Sequence, residues 1–156
     1  MNDPHGITFD GERYHLFFQY FPEKTEWGSA IQWGHAVSED LIDWQELEPA
    51  VVPEDEVGCW SGSVVIDDAT PVLFYTRPHN DEWGHGQVIR MLGSADWMTW
   101  KREPSTPLID GPAQSDFFDF RDPHVRREGE SWKLTIGGGI TDVGGAAFQY
   151  SSPDTI

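Results

Sequence analysis

The stretch GHAVSEDLIDW at residues 34–44 has a counterpart in MLGSADWMTW at residues 91–100. In both, a strand-like segment leads to a serine, an aspartate follows two residues later, and a tryptophan follows six residues after the serine. The two tryptophans, Trp44 and Trp100, are 56 positions apart, counting from 44 to 100. A third copy begins at FQYSSPD, residues 148–154. A repeat of this length that holds about four strands is typical of a β-propeller blade.

Short strands separated by turn residues account for most of the sequence. Aromatic and β-branched residues dominate these segments, and no stretch keeps a helical apolar period for three turns. Such a pattern predicts a sandwich, a barrel or a propeller, and the repeats favour the propeller. Residues 137–139, three glycines, predict a tight turn or a bulge. The clearest predicted strands are residues 14–20, 63–66, 72–76, 87–92, 132–136 and 146–150.

A second repeat is the triplet Asp-Pro-His, which occurs in MNDPHG at residues 1–6 and in FRDPHV at residues 120–125. Each copy leads through a predicted strand to a Gly-Glu turn, so the two copies occupy the same place in two blades. The first strand of a blade lines the central channel of a propeller. We therefore expect Asp3 and Asp122 to meet at one end of that channel. Paired carboxylates in a cleft are the working groups of glycoside hydrolysis.

The repeats divide the chain into units. We expect one all-β, partial propeller domain over residues 1–156, with blade one at about 1–52, blade two at about 58–108 and an incomplete blade three at about 116–156. A propeller closes with at least about four blades. The chain is therefore expected to be a fragment; pairing with another copy or with a second polypeptide is the alternative.

Six short motifs, in order along the chain, resemble glycoside hydrolase family 32, which includes invertases, sucrose-6-phosphate hydrolases, levanases and inulinases. The resemblance covers essentially the whole chain and implies a five-bladed propeller. The motifs are MNDPHG at residues 1–6, FQYFP at 18–22, QWGHAVS at 32–38, WSGS at 60–63, FYT at 74–76 and FRDPHV at 120–125.

The resemblance implies a retaining β-fructofuranosidase that acts on sucrose, sucrose 6-phosphate or a fructan and needs no cofactor. Asp3 would be the nucleophile that forms a covalent fructosyl ester, and Asp122 would stabilise the transition state. Arg121 would keep Asp122 ionised and orient it. The fructose pocket would be lined by Asn2, Gln19, Trp27, Trp60 and Ser61.

Two departures from the family pattern stand out. His5 occupies a position where the family has asparagine, which predicts a change in pocket detail. The family's general acid/base is a glutamate in a Glu-Cys-Pro motif, which this sequence lacks because its single cysteine, Cys59, follows Gly58. We expect that glutamate beyond Ile156, and we expect the 156 residues alone to be inactive or nearly so, since general acid/base help is worth about 10²- to 10⁴-fold.

Composition limits the partners. The formal net charge of −17 disfavours nucleic acid and anionic lipid as partners and suits a neutral sugar. No apolar run is long enough to span a membrane, and no signal peptide is evident, so a cytoplasmic location is expected. The two histidines of residues 79–85 have no standard zinc spacing, and no metal is expected. The oligomeric state stays open.

Two other functions are compatible with the sequence. The first is another five-bladed propeller glycosidase or phosphorylase that acts on a different sugar, against which the ordered motifs argue. The second is a non-catalytic or degenerate sugar-binding propeller. The intact pair of Asp3 and Asp122 argues against degeneration, whereas the missing Glu-Cys-Pro motif argues for it.

Overall fold

The structure is a computed structural model that describes residues 2–22, 28, 30–79, 86–104, 107–112 and 116–155. These residues form eleven β-strands and no α-helix, which confirms the predicted all-β class. Each of the clearest predicted strands lies within an observed one. The strands are β1 (Asn2–Phe9), β2 (Tyr14–Tyr20), β3 (Gln32–Ser38), β4 (Gln45–Val51), β5 (Trp60–Asp67), β6 (Thr70–Pro78), β7 (Gly86–Gly93), β8 (Trp100–Arg102), β9 (Phe117–Glu128), β10 (Ser131–Ile140) and β11 (Gly144–Ser152).

The strands form three antiparallel sheets in which each strand pairs with the next one along the chain. The first sheet has the order β1-β2-β3-β4, the second β5-β6-β7-β8, and the third β9-β10-β11. The first strands of the sheets, β1, β5 and β9, contact one another in succession. This is the arrangement of propeller blades, so the predicted fold class is confirmed, with two four-stranded sheets and one of three strands. The limits of the blades and of the single domain stay predictions.

Two hydrophobic cores hold the three sheets together. Along β6, alternate side chains point to opposite faces of the sheet. Leu73 and Tyr75 join the core between the first and second sheets, whereas Val72 and Phe74 join the core between the second and third. All four side chains are essentially inaccessible to solvent. The second sheet is therefore buried on both faces and fixes the position of the two sheets beside it.

The repeated Ser-x-Asp segment forms the same turn in successive sheets. Asp40 accepts a hydrogen bond from the Ser38 hydroxyl at 3.1 Å, and Asp96 accepts the equivalent bond from Ser94 at 2.5 Å. The residue after each aspartate has a left-handed backbone, with φ of 66° at Leu41 and 64° at Trp97. The turn thus caps the loop between the third and fourth strands of each complete sheet.

The three glycines at residues 137–139 do not form a turn. They lie within β10, beside a register shift between Thr135 and Gly137. A side chain is excluded at the last two positions because a Cβ atom would approach the Phe148 ring to 2.3 Å at Gly138 and the Phe118 ring to 2.1 Å at Gly139. Of the two predicted alternatives, the turn is wrong, whereas register shifts typical of a β-bulge do flank the glycines. Close approach of aromatic rings accounts for Gly138 and Gly139.

Candidate functional site

The first strands of the three sheets each carry a β-bulge at the same place. On β1 the register with β2 shifts between Asn2 and Pro4, so that Asp3 is the extra residue. On β5 the shift lies between Trp60 and Gly62, which makes Ser61 the extra residue. On β9 the additional residue falls between Arg121 and His124, at the second Asp-Pro pair. Asp3, Ser61 and Asp122 therefore occupy equivalent positions on three neighbouring strands.

Two of these bulged residues have a strained backbone. Asp3 has φ of 41° and Asp122 has φ of 60°, both in the left-handed region. Non-glycine residues are uncommon there, although aspartate tolerates this conformation better than most. Strained backbone of this kind clusters at functional sites because it re-aims a side chain. Asp3 and Asp122 are both exposed to solvent. The region around Asp3, Ser61 and Asp122 is named here the funnel end.

Asp3 is linked directly to the second sheet. The hydroxyl of Ser61 donates a hydrogen bond to Oδ2 of Asp3 at 3.0 Å. The two residues are 58 positions apart in the sequence, so this bond exists only because β1 and β5 are neighbours. A hydroxyl donor favours the ionised form of a carboxylate and fixes the direction of its second oxygen.

Asp122 has a different environment. The side chain of Asp122 is 46% exposed, and its partial burial raises the pKa of the carboxyl group; the charges of Asp3 and Asp119 act in the same direction. Arg121 opposes this rise, with its Nη1 atom 3.7 Å from Oδ2 of Asp122 and its Nε atom 3.5 Å from Oδ1 of Asp119. Arg121 therefore favours the ionised form as expected, but burial outweighs its effect. The influence of Asp3 on Asp122 also indicates that the two carboxylates share one electrostatic environment.

A buried amide lies beside the two aspartates. Gln19 on β2 pairs with Asn2 on β1, and its side chain is almost fully buried. Its carbonyl oxygen Oε1 has no hydrogen-bond partner among the residues that the structure describes. A buried acceptor without a partner is costly, so this atom is suited to a ligand that brings a donor.

The structure places two of the other predicted site residues near the aspartates. Trp60 is half-buried, and its backbone carbonyl accepts a hydrogen bond of 3.0 Å from the indole of Trp33. Arg121 is exposed beside Asp122. Trp27 lies outside the described residues. Asn2, Gln19, Trp60, Ser61 and Arg121 are thus on, or paired with, the first strands of the sheets at the funnel end.

His5, which departs from the family pattern, is neutral over the ordinary pH range. Its ring lies 4.0 Å from the Trp33 ring, and burial lowers the pKa of His5 to about 4, against the opposing charge of Asp3. Neither ring nitrogen has a hydrogen-bond partner in the described part of the chain. An uncharged imidazole therefore stands two residues from Asp3.

Thr76 is a site residue that the sequence predicted only as part of the FYT motif. Its side chain is buried on β6, and its hydroxyl oxygen accepts a hydrogen bond of 2.8 Å from the backbone N–H of Asp122. The position of the motif one sheet before the second Asp-Pro-His is the only sequence signal for this contact. The bond itself depends on how the second and third sheets pack.

Among the described residues, no group of three or more His, Cys, Asp or Glu side chains is arranged to hold a metal ion. Most of the histidine-containing segment 79–85 lies outside those residues. Within the same described ranges, no helix is long and apolar enough to cross a membrane.

Comparison with known proteins supplies relatives of this chain. It is 37% identical over 162 residues to a beta-fructofuranosidase, insoluble isoenzyme 3, of Oryza sativa subsp. indica; the match covers 99% of this chain and 27% of the rice protein. It is 33% identical to a beta-fructofuranosidase, cell wall isozyme, of Pisum sativum, over 100% of this chain and 30% of the pea protein. The chain spans between a quarter and a third of the length of these relatives.

These relatives overturn one expectation. The cytoplasmic location inferred from the sequence is wrong, because the related proteins include insoluble and cell wall isozymes. The inference depended on the absence of a signal peptide from these 156 residues. Targeting segments are separate from the folded domain, so their absence from a segment carries no information about location.

Solved structures and a family model agree on the family. The Bombyx mori GH32 beta-fructofuranosidase superposes with a TM-score of 0.86 at 31% identity, covering 99% of this chain and 33% of the silk moth enzyme. A mutant of that enzyme has been solved in complex with sucrose. The model described as Glycosyl hydrolases family 32 N-terminal domain matches residues 1–156. The chain therefore belongs to glycosyl hydrolase family 32, of whose N-terminal domain it forms a part.

Proposed function

We propose that the protein to which this chain belongs is a retaining β-fructofuranosidase that releases fructose from sucrose, sucrose 6-phosphate or a fructan. The observation that carries the proposal is the placement of Asp3, Ser61 and Asp122 on equivalent bulges of three adjacent strands. Membership in family 32 supports the reaction class, and the sucrose complex of the silk moth relative supports a sugar ligand.

Asp3 acts as the nucleophile. One of its carboxylate oxygens attacks the anomeric carbon of the fructosyl unit, the bond to the leaving sugar breaks, and a fructosyl ester of Asp3 forms. Water then cleaves the ester and restores the carboxylate. The hydrogen bond from Ser61 to Oδ2 keeps that oxygen engaged, which leaves Oδ1 to face the substrate. Exposure of Asp3 gives the sugar access to it.

Asp122 stabilises the transition state by accepting hydrogen bonds from fructose hydroxyls, and Arg121 helps to keep it ionised. The raised pKa of Asp122 makes its ionised carboxylate a stronger hydrogen-bond acceptor. The unpartnered Oε1 of Gln19 accepts a further hydroxyl, and Asn2 and Trp60 line the fructose pocket. Trp27 is assigned to the same pocket on the family resemblance alone. A buried acceptor that only the substrate satisfies is a source of specificity.

Protonation of the leaving sugar needs a general acid. The 156 residues contain no Glu-Cys-Pro motif, and we propose that the acid/base is a glutamate of such a motif outside this segment. The 156 residues alone then bind sugar weakly and release fructose at most about 10⁻²- to 10⁻⁴-fold as fast as the full-length protein. Fructose release by this segment at the full-length rate would contradict the proposal that the general acid/base lies outside it.

The nucleophile is tested by Asp3→Ala in the full-length protein, with fructose release from sucrose as the assay. Loss of a nucleophile lowers kcat by at least about 10⁴-fold. The matched control is Asp142→Ala, because Asp142 also has a left-handed backbone, with φ of 63°, but lies in the exposed turn between β10 and β11. Unchanged activity in Asp3→Ala overturns the assignment. Sucrose binding without fructose release by the wild type instead identifies a non-catalytic sugar-binding propeller.

A further inference from the structure

Thr76 connects the backbones of two bulged strands through one hydroxyl group. Its oxygen accepts a hydrogen bond from the N–H of Asp122 at 2.8 Å, and its proton is donated to the carbonyl of Ser61 at 3.2 Å. A threonine hydroxyl has one proton and two lone pairs, so both bonds form at once. The Thr76 side chain is 1% exposed, and both bonds are partly buried.

The two backbone groups need this partner because of the bulges. An extra residue in a strand leaves its own N–H or C=O outside the ladder. Ser61 is the extra residue on β5, and the extra residue on β9 lies at the Asp122-Pro123 step. Thr76, on the strand that pairs with β5, replaces the lost ladder bonds for both of them. Without its hydroxyl, the N–H of Asp122 and the C=O of Ser61 would both lose this partner.

The rotamer of Thr76 is fixed by close packing. A Cβ atom added to Gly86 would lie 2.3 Å from Cγ2 of Thr76 and 3.2 Å from the carbonyl oxygen of Phe120. Gly86 therefore provides the space for the threonine methyl group against β9. A methyl group held in this way directs the hydroxyl toward Ser61 and Asp122 and away from other acceptors.

A short path leads from Thr76 to both proposed catalytic carboxylates. Its bond to the N–H of Asp122 fixes the left-handed backbone that aims the Asp122 carboxyl group. Its bond to the Ser61 carbonyl fixes the residue whose hydroxyl donates to Oδ2 of Asp3. Asp3 and Asp122 thus have one common support in the second sheet, although neither touches the Thr76 side chain through its carboxylate.

We propose that Thr76 is a positioning residue that sets the relative placement of Asp3 and Asp122. This inference rests on the proposed function, since it assigns Thr76 to the reaction of those two aspartates. Thr76 contacts no substrate; it acts through the backbones of Asp122 and Ser61. Misplacement of reacting groups by about 1 Å costs about 10²-fold in rate. Removal of the hydroxyl therefore lowers kcat more than it raises KM.

The test compares Thr76→Val and Thr76→Ser in the full-length protein, with fructose release from sucrose measured over a range of concentrations. Valine has the shape of threonine but lacks the hydroxyl, and it lowers kcat about 10- to 100-fold with KM changed by less than about threefold. Serine keeps the hydroxyl and restores kcat to within about threefold of the wild type. If Thr76→Val does not fold, Thr76→Ala, which relieves crowding against Gly86, takes its place.

Ser63→Ala is the matched structural control. The Ser63 hydroxyl accepts a buried hydrogen bond of 2.9 Å from the N–H of Val125, and this bond also joins the second sheet to β9. Its loss removes a comparable buried bond further along the same pair of strands. The midpoint temperature of thermal unfolding should fall in both Ser63→Ala and Thr76→Val, whereas kcat should fall only in Thr76→Val.

Three outcomes overturn the inference: kcat unchanged in Thr76→Val, kcat lowered equally in Ser63→Ala, or kcat not restored in Thr76→Ser. Failure of the proposed function has a different signature. In that case Asp3→Ala keeps its activity, or the wild type releases no fructose. The inference about Thr76 then fails together with the proposed function. Testing Asp3→Ala first separates the two failures.

Discussion

Asp3 and Asp10 lie at the two ends of β1, and their carboxylates are used in different ways. Asp10 accepts hydrogen bonds of 2.7 Å from the N–H groups of Glu12 and Arg13. Its Oδ2 atom accepts a third, of 2.9 Å, from Nε2 of His15. Burial acts to raise the pKa of Asp10, but these donors outweigh it and lower that pKa to about 2. Asp3, by contrast, is exposed on strained backbone with one bond from Ser61.

A chain of polar groups continues from Asp10 into the first core. Nδ1 of His15 lies 2.8 Å from Nε2 of His35, and both rings are buried. A carboxylate only accepts, so His15 donates from Nε2 to Asp10 and accepts at Nδ1 the proton of His35. Burial lowers the pKa of both histidines, that of His35 to about 3, which favours their neutral forms. The Trp97 ring of the second sheet stacks 4.0 Å from His15.

Glu56, in the link between the first and second sheets, behaves like Asp10. Its buried carboxylate accepts hydrogen bonds from Tyr75 at 2.9 Å and from Arg102. Burial acts to raise the pKa of Glu56, but hydrogen bonds and the Arg102 charge lower it to about 2. Acids whose oxygens are saturated with protein donors stabilise the fold. The funnel end is different because acceptors there are left for a ligand.

The largest expected effect, after loss of the nucleophile, comes from Asp122→Asn. The amide keeps the size of the side chain but loses the charge proposed to stabilise the transition state, so kcat should fall about 10²- to 10³-fold. The free energy of unfolding by urea should not fall, because partial burial already disfavours the charged form of Asp122 in the folded state. A variant with full kcat but a lower free energy of unfolding would place Asp122 with Asp10 among the structural acids.

The second effect concerns the pH dependence of stability. The pKa values of His15 and His35 are lowered in the folded state, so the unfolded chain binds more protons below about pH 6.5. The free energy of unfolding is therefore retained above that pH and falls as the pH decreases toward 3. For one histidine the slope is at most about 1.4 kcal/mol per pH unit.

Urea unfolding of the full-length protein at pH 7.5 and pH 5 measures this effect. His35→Gln keeps an amide donor for His15 but does not titrate, so it should be less stable than the wild type at pH 7.5 and show a smaller loss on acidification. His124→Gln is the control, since His124 is exposed on β9. Equal pH dependence in wild type and His35→Gln would exclude the His15–His35 pair as its source.

A smaller effect is expected for Ser61→Ala. Loss of one hydrogen bond to a charged carboxylate costs about 1.5 kcal/mol, which corresponds to about a tenfold decrease in kcat. Substrate affinity should change less, because Ser61 orients Asp3 rather than neutralising it. Steady-state kinetics with sucrose provides the measurement. An increase in KM at constant kcat would instead assign Ser61 to sugar binding, as the family resemblance implied.

The smallest effect is a shift of the pH–rate profile in Arg121→Gln. Burial raises the pKa of Asp122 and the Arg121 charge opposes the rise, so removing that charge raises the pKa further. The acidic limb of kcat/KM should move to higher pH, with activity retained only where Asp122 is ionised. Lys133→Gln, on β10, removes a cation elsewhere in the third sheet. A limb that stays in place, or moves equally in both variants, would show that Arg121 does not tune Asp122.

The sequence repeat made the fold class and the positions of the two aspartates predictable. Spacing alone placed Asp3 and Asp122 at equivalent positions, because a propeller blade is a unit that recurs along the chain. Thr76 was not predictable as a support, because its bond to Asp122 joins residues 46 positions apart and depends on the register of two bulged strands. The role of Arg121 stays a prediction: its charge lies beside Asp122 as adjacency in sequence suggests, but the size of its effect depends on how far the packing of the sheets desolvates that carboxylate.

The placement of the site across three separate sheets has a thermodynamic consequence. No single sheet contains more than one of Asp3, Ser61 and Asp122, so a sugar that contacts all three exists as a complex only while the sheets are docked. Ligand at about 100 times its Kd then adds about 2.7 kcal/mol to the free energy of unfolding. The ligand thereby acts as a non-covalent cross-link between blades. The increase in the free energy of unfolding then reports how much of the site is occupied.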